Sequence, residues 1–204
     1  MALAAEVLAS TPEVLAPAHT DWLRHTLTVR GPAEAMASFR AAAAGPGVIP
    51  WTLDLDRLEE DWFLPLAAPA DGERAISFTG ARLLARRLRE AVAAQHAREL
   101  EHLARGGRHC PLDLHRLLPV PAAVLALGPD DPASRAWLWA QWGTTRALRR
   151  VSTVAGSLDG RHRRTEELVI EFWSADWSPW RALLRLRRNW PELHLELVPH
   201  YGDG

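Results

Sequence analysis

The side chains most able to do chemistry lie in the second half of the chain. Trp142-Gly143-Thr144 precedes one apolar run, and Asp176-Trp177-Ser178-Pro179 closes the next. Ser178, His200 and Asp176 have the groups of a nucleophile, a general base and an orienting acid. No nucleophile-elbow pattern surrounds Ser178, however, and a Ser before Pro at a helix start is explained by capping. His109, Cys110, Asp113 and His115 offer ligand atoms that suit zinc. Their spacing matches no standard pair of ligand knuckles, Pro111 stiffens the loop, and Asp113 reads equally well as the cap of a turn or helix beginning at Leu114. His96, Glu99 and His102 fall three residues apart on a helix, and a solvated face is the simpler reading. There is no P-loop and no dinucleotide fingerprint. The expectation is therefore no catalytic residue, no metal and no cofactor.

A second kind of chemistry is cationic. Arg161-His162-Arg163-Arg164 falls in a polar loop, and Arg185, Arg187 and Arg188 end a later helix. Together they form a candidate nucleic-acid patch, although cations at a helix C-terminus also complement its dipole. Among the strands, Trp173 is the one evident stacking aromatic.

The elements that must hold these groups can be read from periodicity. Leu23 to Arg30 alternates as a strand, with His25, Leu27 and Val29 on one face and Thr26, Thr28 and Arg30 on the other. Gly31-Pro32 turns into a helix over 33–43. Residues 46–76 read as irregular, with a helical piece around 55–63. A long amphipathic helix covers 81–104, and Asp131-Pro132 starts another that runs to Gln141. Strands follow over 145–154 and 167–173. Ser178 is expected to cap a helix over 179–188, and Leu193, Leu195 and Leu197 alternate in a last strand. With 46–141 set aside, the order is β-α-β-β-α-β. Right-handed crossovers then favour an α+β, ferredoxin-like sandwich: a four-stranded antiparallel sheet with both helices on one face.

The chain has 204 residues, 48% of them apolar, which fits a single domain carrying 46–141 as an insertion, with 1–20 as an Ala- and Pro-rich start. Net charge is −1, so bulk charge does not hold it on nucleic acid. All 24 basic residues are Arg, which together with the abundant Ala reads as coding bias. The lone Cys110 fits a reducing compartment, and no run approaches a membrane span, so a soluble cytoplasmic protein is expected. Ten Trp against one Tyr is unusual.

Four segments carry a resemblance: 109–121 (HCPLDLHRLLPVP), 139–144 (WAQWGT), 170–179 (IEFWSADWSP) and 190–202 (WPELHLELVPHYG). In this order they resemble the YubB-like ferredoxin-like domain family, uncharacterised proteins found largely on plasmids and phages. The resemblance implies the ferredoxin-like fold and mobile-element ancestry, and no activity. Thr145 stands where that family often has Lys, and Trp180 where it often has a second Pro.

The predicted topology brings Trp142, Gly143 and Thr144 beside Asp176, Trp177 and Ser178, with Asp113 and His115 within reach. This edge is the candidate ligand site; the alternative is packing of the insertion onto the sheet. The leading expectation is a non-catalytic module that binds a protein partner or itself, with Trp51 and Trp62 as exposed anchors. The alternatives are nucleic-acid binding through Arg161, Arg163, Arg164, Arg185 and Arg188, and a small-ligand or enzyme site at the Trp142/Trp177 edge.

Overall fold

The structure, a computed structural model, describes residues 20–68, 76–154 and 165–201. Four strands form one antiparallel sheet: β1 (Trp22–Pro32), β2 (Arg149–Val154), β3 (Thr165–Ala175) and β4 (His194–His200), in the order β2-β3-β1-β4. Seven helices are described: α1 (Ala33–Ala43), α2 (Leu55–Ala67), α3 (Phe78–Ala104), α4 (Leu114–Leu117), α5 (Ala122–Leu125), α6 (Pro132–Trp142) and α7 (Trp180–Asn189).

Alternation in β1 and β3 sorts the side chains by face. His25, Leu27 and Val29 oppose Phe172, Ile170 and Leu168 on the helix-covered face. Leu197 lies beside Leu27, and Ala35, Met36 and Phe39 of α1 and Ala182, Leu183 and Leu186 of α7 complete that layer. The other face carries Arg24, Thr26, Thr28 and Arg30. No described helix covers it.

Between α1 and β2 runs a long helical excursion. Its α2–α3 hairpin leaves and returns through a two-bond bridge, Gly45 N to Cys110 O at 3.0 Å and Cys110 N to Gly45 O at 2.9 Å. Asp113 seals this base: its carboxylate accepts from Gly47 N at 2.9 Å and from Arg116 N at 3.1 Å, so it caps α4. A Cβ on Gly45 would lie 2.3 Å from the Asp113 carboxylate, so the close approach requires glycine. Arg108 and Arg116 donate to the last carbonyls of α1, those of Ala41 and Ala42, which the helix itself cannot satisfy.

Two boundaries differ from the sequence expectation. The helical piece expected around 55–63 is present as α2 and runs on to Ala67, with Asp54 capping it through Arg57 N. The strand expected from residue 145 starts at Arg149. Thr144 and Thr145 are buried instead, and the Thr144 hydroxyl donates to Ala175 O at 2.8 Å and accepts from Ala175 N at 3.0 Å. One side chain thus takes over a strand's backbone pairing. β2 also carries a bulge, with Arg150 in the left-handed region at φ 49° and the register shifting between Arg149 and Ser152.

Candidate functional site

The start of the segment leading to β2 and the end of β3 meet as the topology requires. The Thr145 hydroxyl donates to the Asp176 carboxylate, whose other oxygen accepts from Asp21 N at 3.1 Å. Asp176 N donates to Asp21 O at 2.7 Å with Asp176 at φ 65°, a conformation Asp tolerates better than most residues. Asp176 is therefore occupied as a knot between three chain segments.

The two tryptophans go opposite ways. Trp142 is 1% exposed, lies 6.3 Å edge-on from Trp137, and donates Nε1 to Leu118 O at 3.1 Å. Trp177 is 58% exposed. The edge is thus neither a cleft lined by both rings nor a core that holds both. Gly143 at φ 85° ends α6 in the left-handed conformation, and a Cβ there would sit 3.2 Å from Ser178 O and 3.3 Å from the Trp180 and Arg181 amides. The end of α6 therefore covers the first turn of α7.

Ser178 does not cap α7. The N-cap is Pro179, which makes no side-chain bond. The Ser178 hydroxyl lies 2.8 Å from Nε2 of His25, which is fully buried and stacked on Phe172 at 5.2 Å. Ser174 Oγ donates to Trp177 O at 2.5 Å and lies 3.4 Å from His25 Nδ1. This places the Nδ1 proton toward Ser174 and lets Nε2 accept from Ser178. An unpaired buried imidazole nitrogen costs more than a lost cap, so the hydroxyl serves His25. Burial is the main cause pushing the His25 pKa down to about 4, against a backbone bond at Leu23. The ring is neutral at pH 7.

These placements separate the imagined triad. Ser178 bonds into the helix-covered face, while His200 lies on the other face, 2.7 Å from Thr26 Oγ1, and Asp176 turns to Asp21 and Thr145. The serines that do meet a histidine, Ser178 and Ser174, meet His25, and all three are sealed in the core.

Of the upstream ligand atoms, those of Cys110, Asp113 and His115 are also engaged, while His109 is exposed. The buried Cys110 thiol donates to Leu112 O at 3.3 Å, and burial pushes its pKa up to about 11. His115 Nδ1 accepts from Val120 N at 3.2 Å, and burial lowers its pKa. Asp113 and His115 share with Trp142 the wall of a cavity of about 10 Å³, at the lower limit for one water. Among the described residues no three His, Cys, Asp or Glu side chains gather as a metal site.

Of the cationic candidates, Arg161, Arg163 and Arg164 lie outside the described residues. Arg185 donates to Gln141, tying α7 to α6. Arg187 and Arg188 are exposed at the end of α7. Trp51 and Trp62, expected as exposed anchors, are half-buried, Trp51 against the core. Besides Leu64, Leu83 and Leu84 of the α2–α3 hairpin, the exposed apolar groups among the described residues include Trp177, Trp180 at 44% and Leu184 at 55%. The signal of this last group was present in the sequence: Trp180 and Leu184 are four residues apart, offset from the inward Ala182, Leu183 and Leu186.

Comparison with protein-family models, with curated proteins and with solved structures finds no match.

Proposed function

We propose that this protein is a non-catalytic interaction module that works by binding another protein chain through the outer face of α7. The observation that carries the reading is the stripe Trp177, Trp180 and Leu184, which leaves two indoles in solvent beside a helix already packed on its other side. Exposed Trp bordered by Arg is the composition of a binding hot spot. The α7 sequence holds four Arg and no acid, which favours an acidic, apolar partner over a second copy of the same face. The polar side chains of the neighbouring edge, Asp113, His115, Thr144, Asp176 and Ser178, are already engaged in hydrogen bonds within the chain.

The finer fold reading belongs to the same proposal. The order β2-β3-β1-β4, with α1 and α7 as crossovers on one face, supports a ferredoxin-like domain carrying 46–141 as an insertion. It fits the YubB-like resemblance, and mobile-element ancestry goes with it.

The test pairs the wild type with a Trp180→Asp, Leu184→Asp double variant, both checked for fold by circular dichroism. Chemical crosslinking in the native host should yield a discrete acidic partner that the double variant loses. Analytical ultracentrifugation reports self-association separately. A variant that keeps the same crosslinked species would refute the reading.

A further inference from the structure

The sheet face that no described helix covers holds a feature independent of α7. Arg149, Trp173, Arg24 and His200 are in register across β2, β3, β1 and β4, one residue from each strand. All four therefore leave the same face. Trp22, two residues before Arg24, joins them, and the Arg149 guanidinium lies 3.9 Å over its ring. Tyr201 follows His200 at the strand's end and is exposed.

Charge is segregated along this face. At the far end Arg30 pairs with Glu167 at 2.6 Å and Glu196 at 3.4 Å. At the Trp22 end, among the described residues, Arg24, Arg149 and His200 make one ion pair, Arg24 with Glu171 at 2.8 Å. The β2 bulge produces this arrangement. The register of Ser152, Thr153 and Val154, continued without interruption, would set Arg149 opposite Ser174 on the helix-covered face. The extra residue sets it opposite Trp173 instead. Arg150 holds a left-handed backbone to do so.

Flat indole rings flanked by guanidinium groups, with a surplus of positive charge, match unpaired bases joined by phosphates. We infer that the row Arg149–Trp173–Arg24–His200, with Trp22, binds single-stranded nucleic acid by stacking its bases. The row crosses four strands, about 14 Å, enough for a short stretch of chain. Duplexes bind less well, because their bases are not free to stack.

The test is fluorescence anisotropy at low salt with labelled 12-nucleotide oligo-uridine, oligo-thymidine and a DNA duplex of that length. The wild type should bind the single strands more tightly than the duplex. Trp173→Ala should weaken binding about tenfold, and Trp173→Phe should keep most of it. Arg149→Ala should also reduce the log–log salt slope by about 0.7. Trp180→Asp should leave binding unchanged, which separates this site from the α7 surface. Absence of single-strand binding by the wild type would overturn the inference, as would full binding by a folded Trp173→Ala variant. A loss seen only when Arg161, Arg163 and Arg164 become Ala would overturn it too, in favour of the basic loop.

Discussion

His25 shows how one buried side chain sets the conditions under which this protein is stable. Its folded pKa of about 4 lies below the ordinary 6.5, so the unfolded chain binds the proton more readily. Stability contributed here is fully present above pH 6.5 and falls as pH drops from there toward 4, by at most about 3 kcal/mol. Denaturant titrations across that window should show the loss. His25→Leu should flatten the profile while lowering stability at pH 7 by about 1–3 kcal/mol, because Ser178 and Ser174 lose their partner. The tryptophans offer a second contrast at this scale. Trp142→Ala should cost about 3–5 kcal/mol as a core truncation. Trp177→Ala should change stability by no more than about 0.5 kcal/mol, since its ring is in solvent. Equal losses for the two, measured by thermal or chemical unfolding, would contradict the geometry.

At the scale of elements, two joints hold the architecture. One is the seat of α6 on α7 at Gly143. Gly143→Ala meets both a left-handed backbone and the Ser178 carbonyl, so about 1–2 kcal/mol should be lost. The other is the base of the α2–α3 hairpin, where Asp113 accepts two backbone amides. Asp113→Ala removes both acceptors and should cost about 2–3 kcal/mol. Hydrogen exchange would localise that effect. In α3 only Ala81 and Ala85 are buried, and the hairpin is held mainly by its own contacts, such as Arg89 to Asp56 at 2.9 Å and Arg82 over Phe63. Amides of α3 should therefore exchange through local opening, well ahead of those in β1 and β3. Uniform protection across hairpin and sheet would show that the joint is not where the coupling lies.

For the molecule as a whole, the sheet separates two surfaces of different chemistry. The helix layer presents Trp177, Trp180 and Leu184, and the opposite face presents Trp22, Trp173 and their cations. No helix among the described residues is long and apolar enough to cross a membrane. Binding at the two surfaces needs no shared residue. Occupancy of one should therefore leave affinity at the other unchanged, a result that titrating oligonucleotide with and without a captured partner would check.

Much of this was legible from local pattern. The alternation of His25, Leu27 and Val29 announced a strand with one buried face, and Asp131-Pro132 announced a helix start, because both signals depend on neighbours in sequence. The meeting of Thr144 and Thr145 with Asp176 also followed, since element order constrains which ends lie together. What the sequence could not decide was where each polar group spends its hydrogen bonds. Ser178 before Pro179 reads as a cap, and only the burial of His25 beneath Phe172 turns the hydroxyl inward. Trp142 and Trp177 are chemically alike, yet one fills the space beside Leu118 and the other meets solvent. Trp22, Arg24, Trp173 and Arg149 come from three strands, and a bulge of one residue decides which face Arg149 takes. Local periodicity determines which elements form. Burial and register, which depend on residues far apart in the chain, determine which side chains are sealed in the core and which remain free to bind.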